Sequence, residues 1–335
     1  MFSFSRENTG LVAKWWRNID KQILFIFVFL LLLGLFFSFS STTSMMSEKM
    51  NKQTYFFFIK HLIFVSISLF LLIAISIQEK NKLIKFLIYL FLVSIVLLLL
   101  TLVVGVEIKG SKRWMSFDPL PRFQPVELVK PLFIIFVAKI IVLNEKANIY
   151  RRYLYSFLVL LLIVIILINQ PDLGQTLLLA SVWITMVFVS GFDMVILLIL
   201  GLAFLSIITL LIFFFPEKFS YVFLRIKTFM DPKAGDNFQS QKALDAIKQG
   251  GLTGQGMGEG ILKDEVPEAH TDYIIAVVSE EFGAIFVLFI VTIFLFIGYK
   301  VFNKVFSEKN EFLKLALVGL VSLLIIQTFI HIGVN

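Results

Sequence analysis

The sequence predicts an all-α polytopic membrane protein with nine transmembrane helices, and three observations carry that reading. Hydrophobic residues fill 59% of the 335 positions and charged residues only 16%, a surplus that a water-soluble globule of this length could not bury. The apolar residues gather into nine runs, near 22–40, 56–78, 83–105, 126–143, 154–170, 174–190, 193–215, 272–300 and 313–335, each near the about 20 residues a spanning helix needs. Charge and turn residues separate the runs, and only two connections are long, 105–125 and 216–271. The organisation expected is one domain over 1–335 with these two segments as extracytoplasmic loops.

Taken in order, the first run is too long and too rich in phenylalanine for a cleaved leader, so it reads as an anchor. The second and third are parted by the charged stretch 79–86. Pro125 suits the first turn of the fourth helix, and Glu127 and Lys130 stand three apart on it, close enough to pair. Between the fifth and sixth runs lies "NQPDLGQT" (169–176), where Pro171 breaks the helix and Asp172 can cap the next one from Leu173. Inside 216–271, residues 238–247 read as a short amphipathic helix, after which Gly250, Gly251, Gly254, Gly256, Gly258 and Gly260 supply turns. No strand precedes this glycine run and no Lys-Ser/Thr ends it, which argues against a nucleotide loop.

Composition also excludes function classes. Cysteine is absent, and His61, His270 and His331 are too scattered for a zinc site. A net charge of +7 suits anionic lipid or an anionic substrate alike, and without a soluble basic domain nucleic acid is not expected as a partner. With the N-terminus inside, the cytoplasmic segments 1–21, 79–86, 144–152 and 300–314 carry no more Lys and Arg than the outer segments 43–60, 105–124 and 216–271. Outer loops usually avoid such charge, although long translocated loops ignore the rule.

Two stretches could carry chemistry. "VPEAHTDYIIAVVSEE" (266–281) brings Glu268, His270, Asp272, Glu280 and Glu281 to the mouth of the eighth run. On a helix wheel begun at Asp272, that residue shares a stripe with Ala276, Ser279 and Gly283, with Glu280 at its border and Glu281 on the far side. An acid in a first helical turn is explained by the helix dipole, at about 0.3–1 kcal/mol, but Glu280 and Glu281 lie two turns deeper, where ionised groups face a cavity or a partner. The second stretch, "KRWMSFDPLPRFQPVELVK" (112–130), sets Lys112, Arg113, Arg122 and Lys130 around a membrane entry. They form either an anion cradle, since Arg matches phosphate oxygens in pairs, or a set of solvated and snorkelling cations.

In order along the chain, "GSKRW", "RFQPVELVK", "QPDLG", "FQSQKAL", "GQGMGEG", "PEAHTDYIIAVVSEEFG" and "QTFIHIGVN" resemble the motifs of the SEDS membrane glycosyltransferases of bacterial cell-wall synthesis. The branches of that family are the division protein FtsW, the elongation protein RodA and the sporulation protein SpoVE. "PEAHTD" with the G-x-G-x-G stretch looks more like the FtsW branch. The resemblance implies a SEDS-type helical bundle in the bacterial inner membrane. It implies an enzyme that polymerises lipid II, the undecaprenyl-pyrophosphate disaccharide-pentapeptide, with its active site on the outer face.

By position in these motifs it implies Asp272 as the catalytic base. Arg113, Arg122, Gln124, Glu127, Lys130, Gln239, Glu268, His270 and Thr271 are implied as substrate-binding residues. Inverting transfer needs one base for the acceptor proton and positive charge where the pyrophosphate leaves. No metal ligand set is expected from the protein. A divalent cation, Mg or Mn, stays open as a cofactor, because the basic residues could replace it at the pyrophosphate. A class B penicillin-binding protein of the FtsI type, with other divisome proteins, is the implied partner. Family members continue past "IGVN" into an outer loop and a tenth helix, so nine of ten helices are expected before Asn335. The other readings are a lipid II flippase using Glu280, Glu281 and Asp172, a RodA-like elongation polymerase, and a scaffold for a transpeptidase.

Overall fold

The structure is a computed structural model that describes residues 10–41, 55–108, 111–116, 122–143, 149–217, 238–266, 269 and 273–334. Its elements are α1 (Leu11–Asn18), α2 (Lys21–Ser41), α3 (Phe56–Ile77), α4 (Lys80–Val104), β1 (Val106–Ile108), β2 (Ser111–Trp114), α5 (Pro125–Leu143), α6 (Ile149–Asn169), α7 (Leu173–Val189), α8 (Met194–Phe214), α9 (Phe238–Gly250), α10 (Ile274–Ser307) and α11 (Glu311–Val334). Every apolar run has become a helix, because in hydrocarbon only a helix satisfies its backbone groups within one segment. Among the described residues, seven helices are long and apolar enough to cross a membrane. The other two runs are α7, which is apolar but has 17 residues, and α5, which carries Glu127, Lys130 and Lys139. Several hydroxyls on exposed faces return to their own helix, as with Ser66 to the Leu62 carbonyl and Thr209 to the Leu205 carbonyl, which lowers the cost of facing lipid.

Aspartate side chains cap two of the spans. Asp20 accepts from the N–H groups of Gln22 and Ile23 ahead of α2, and Asp193 accepts from Val195 and Ile196 ahead of α8. Three features depart from the sequence reading. The short helix α1 precedes the first span, and its Trp15 indole donates to the Ser76 hydroxyl at 2.8 Å. Segment 105–125 contains an antiparallel hairpin, pairing Glu107 with Lys112 and Ile108 with Ser111, and a further bridge joins Met115 to Phe123. The helix predicted over 272–300 begins at Ile274 and is broken at Gly283, whose φ of 81° and ψ of 171° no continuous helix allows.

The chain divides into two compact units interleaved in sequence. The first comprises Met1–Leu83, Asp236–Ile297 and Thr328–Asn335, and the second Ile84–Gly235 and Gly298–Gln327. In the second unit, α5, α6 and α7 carry the core, with Phe133, Ile134, Ile163, Leu167, Leu179 and Met186 cut off from solvent. Gly319 lets α11 approach this core, since a Cβ there would stand 2.5 Å from Ile134 Cγ2 and 2.8 Å from Met186 Sδ. Among the described residues the first unit has two smaller cores. Phe37 of α2 packs on Val278 and Ile290 of α10, and Ala243 and Ala246 of α9 pack on Val266, Tyr273 and Ala276.

Candidate active site

In the second unit the polar residues collect at the start of α5 and at the turn between α6 and α7. Lys130 is buried, because α5 turns its inner face to the core on either side of it, at Val126, Val129 and Phe133. Its ammonium meets Glu127 Oε2 at 2.7 Å and the Gln327 side-chain oxygen at 3.3 Å. The i,i+3 pairing expected from sequence therefore exists. It is lopsided, with the lysine side chain 2% exposed and the glutamate 49%. Gln124 is half-buried, and its carbonyl accepts from the Glu127 N–H, closing the first turn of α5; Arg122 is exposed.

Arg113, on β2, reaches the QPD turn. Its Nη2 donates to the Pro171 carbonyl at 2.7 Å, and its Nε lies 3.6 Å from Asp172 Oδ2. Asp172 does what the sequence predicts, capping α7 through the Gln175 N–H. Gln170 holds the same turn from the other side, donating to the Leu98 carbonyl and the Thr101 hydroxyl of α4. Burial pushes the Asp172 carboxyl up from its ordinary value, against the pull of Arg113 and of the Gln175 N–H. The charges of Glu127 and Lys130 also reach it, so Arg113, Glu127, Lys130 and Asp172 form one electrostatic group. Two cations facing two acids this closely are partly neutralised.

In the first unit, the glycine run of 250–260 is spliced into α10. An unbroken α10 would bond the Ala284 and Ile285 N–H groups to the Glu280 and Glu281 carbonyls. With the break at Gly283, those N–H groups donate instead to the carbonyls of Gly251 and Leu252, and the two carbonyls accept from Gln255 and Gly256. The exchange brings backbone onto backbone. A Cβ on Gly250 would run into the Ser279 carbonyl, one on Gly254 into the Glu281 carbonyl, and one on Gly283 into the Leu252 carbonyl. Glycine spacing in this loop serves close approach to a helix, and no phosphate is needed to explain it.

Glu280 and Glu281, both fully buried, grip the loop with their side chains. Glu280 Oε1 accepts from the Leu262 N–H at 2.8 Å, and Gly260 leaves room for that carboxylate. Glu281 Oε1 receives the buried Lys263 ammonium at 2.5 Å and the Gly258 N–H at 3.2 Å, while the Ser40 hydroxyl donates to its Oε2. The expectation that acids at this depth face a partner holds, and the partner is the chain's own loop. Asp272, Glu268, His270, Thr271 and the side chain of Gln239 lie outside the described residues. Tyr273, next in chain to Asp272, is buried against α9.

Sequence reasoning missed Gln170, Gln327, Ser40 and the pairing of Lys263 with Glu281. The signal available for the last was Lys263 itself, a charged residue that follows the glycine run and the apolar pair Ile261 and Leu262. Among the described residues no group of three His, Asp or Glu side chains converges as a metal site.

Comparison with known proteins gives this arrangement a family. The profile of the FtsW/RodA/SpoVE family, described as cell cycle proteins, matches residues 21–335. The chain belongs to that family. Among curated relatives, a "Probable peptidoglycan glycosyltransferase FtsW" of Caulobacter vibrioides is 33% identical over 237 residues, covering 69% of this chain and 58% of that protein. One of the same name from Aliivibrio salmonicida is 30% identical over 297 residues, covering 86% and 73%. The chain spans little more than half the length of the first relatives it matches, 58% of the Caulobacter protein and 50% of a Haemophilus ducreyi one. Among solved structures, one described as a peptidoglycan synthase complex coordinating polymerization and crosslinking aligns with a TM-score of 0.75 at 23% identity, over 95% of this chain and 87% of that one. The Thermus thermophilus rod shape determining protein RodA aligns with a TM-score of 0.68 at 22% identity, over 95% and 86%. These likenesses establish the FtsW/RodA/SpoVE fold, that of a multi-pass membrane protein.

Proposed function

We propose that this protein is a peptidoglycan glycosyltransferase that polymerises lipid II into glycan strands during cell division. The observation that carries the reading is the family match across 21–335 together with relatives that bear that enzyme's name. Asp272 takes the proton of the acceptor hydroxyl as the acceptor oxygen bonds to the anomeric carbon of the donor sugar. In the same displacement the bond from that carbon to the pyrophosphate oxygen breaks, and its electron pair leaves with the pyrophosphate. Lys130, Arg113 and Arg122 supply positive charge for that leaving group. Gln124, Glu127, Gln239, Glu268, His270 and Thr271 orient the substrate around them.

The reading places the enzyme in the bacterial inner membrane, with the reaction at its outer face and segments 105–125 and 216–271 as extracytoplasmic loops of one SEDS domain. It pairs the enzyme with a class B penicillin-binding protein of the FtsI type within the divisome. A divalent cation such as Mg or Mn stays open as a companion of the substrate's own phosphates, where the basic residues could replace it. The flippase alternative would draw on Glu280, Glu281 and Asp172, and all three are engaged in local contacts.

The test is lipid II polymerisation by the purified full-length protein in liposomes, with and without the transpeptidase partner. Removing the base in Asp272→Asn is expected to lower the rate by about 100-fold or more. A variant that extends glycan at the parental rate overturns the assignment. Movement of labelled lipid II across the bilayer without chain growth would favour the flippase.

A further inference from the structure

Two buried acids and a buried lysine in the first unit take no part in the chemistry described above. Together they tie two places in the chain that lie far apart in sequence. Leu262 and Lys263 are held by Glu280 and Glu281 through one backbone bond and one ion pair. The chain thus leaves Lys263 and comes back to Glu280 and Glu281 at one place, and Asp272 stands midway between Lys263 and Glu281 in the numbering. The fastening is reinforced at Lys263 and Glu281, each held a second time, while the buried Glu280 Oε2 has no hydrogen-bond partner among the described residues. Lys263 also donates to the Gly258 carbonyl, Glu281 also accepts from Gly258 and Ser40, and the backbone beside both acids is exchanged with the glycine loop across Gly283. Between the ends, Val266, Ala269 and Tyr273 pack on Ala243 and Ala246 of α9, so the residue bonded to Asp272 has a fixed seat.

We propose that Lys263, Glu280 and Glu281 are positioning residues, a buried clamp that joins the start of α10 to Leu262 and Lys263 and so serves Asp272, which the chain carries between them. The inference deepens the glycosyltransferase reading and rests on it for one of its two readouts. In some proteins, buried ionised groups select one arrangement over its alternatives, and that is the role proposed for these. General-base catalysis needs that selection, since a small displacement of the base sharply lowers the rate. Glu281 touches no reacting atom in this scheme. It acts through Lys263 and the loop.

The test uses full-length protein in liposomes or detergent and the variants Lys263→Gln, Glu281→Gln and the double variant, in which two amides can share a neutral hydrogen bond. The first readout is hydrogen–deuterium exchange of peptides covering 264–279, which needs no substrate. Each single variant is expected to exchange faster there, and the double variant is expected to return toward the parent. The second readout is polymerisation kinetics per folded molecule, with kcat expected to fall about ten-fold or more in the singles, KM to stay within about two-fold, and the double to recover most of the loss. Lys242→Ala, which removes an exposed pair with Glu265, serves as the control and is expected to change neither readout. Should a single variant fail to fold, the double variant and Ser40→Ala carry the exchange measurement.

Unchanged exchange over 264–279 in folded variants overturns the clamp, as does a kcat loss that the double variant does not restore. Faster exchange in a protein whose parent polymerises no lipid II would uphold the clamp and sink the functional reading.

Discussion

Lys263 Nζ lies 2.5 Å from Glu281 Oε1 with both side chains closed off from water, whereas Lys242 of α9 and Glu265 pair where water reaches them. The Glu265 carboxylate, bonded to the Lys242 ammonium, holds it above its ordinary value. Water screens that pair, and exposed pairs add little to stability. Removing Glu281 instead takes the paired carboxylate from a buried ammonium, leaving it the Gly258 carbonyl and the more distant charge of Glu280. Glu281→Gln is expected to lower unfolding stability by about 3–5 kcal/mol. Lys242→Ala should leave the thermal midpoint within replicate scatter. Thermal unfolding of both variants in one detergent checks the contrast, and equal midpoints would refute it.

Gly283 and Gly258 separate backbone strain from collision. Both hold a positive φ, 81° and 83°, so an added Cβ carries a similar conformational penalty of about 1–2 kcal/mol at either site. At Gly258 nothing stands within 4 Å of that Cβ, while at Gly283 it would drive into the backbone of Leu252 and Gly254. Gly283→Ala is therefore expected to be the more damaging by about 2 kcal/mol or more, since the glycine loop must then leave the helix. Denaturant unfolding of the two alanine variants measures the difference.

The lopsided burial of Glu127 and Lys130 makes the two deletions unequal. Lys130→Met leaves a half-exposed carboxylate that water can solvate. Glu127→Gln leaves a buried ammonium whose direct hydrogen-bond partners are neutral, with Asp172 as the remaining acid of the group. Glu127→Gln is expected to destabilise by about 1–3 kcal/mol and Lys130→Met by less, the reverse of an argument from burial area alone. If Lys130 steadies the leaving pyrophosphate, Lys130→Met still loses at least about ten-fold in polymerisation rate. Unfolding midpoints and rates measured on the same two preparations separate these effects.

Asp172 predicts a pH dependence. Burial raises its folded-state pKa above the unfolded value, so the native state binds the proton more tightly. Its contribution is fully present below the unfolded pKa, about 3.9, and is lost as pH rises through the folded value. Asp172→Asn, which can still accept from the Gln175 N–H, is expected to flatten that decline. Its stability relative to the parent should rise from mildly acidic toward neutral pH. Thermal midpoints across that range check the sign.

Much of this was legible in the chain. Nine apolar runs became helices, Asp172 became a cap, and Glu127 met Lys130, because these outcomes depend on residues within a few positions of one another. The hairpin of 106–114 was not legible, since its strands are short and lack strict alternation. Neither was the break in α10. Gly283 sits in a strongly apolar run, and its conformation is set by a loop roughly thirty residues earlier in the chain.

Hydropathy and the order of the motifs, taken alone, determined the class and the family, because solvation in lipid acts residue by residue and the motif spacing is written along the chain. Tertiary structure decided what the charged residues do. It turned Glu280, Glu281 and Lys263 inward as a fastening, engaged Arg113 at the QPD turn, and buried Lys130 while leaving Glu127 at the rim. Such roles depend on which donor meets which acceptor across tens of residues, and on how little water reaches them, neither of which a linear pattern records.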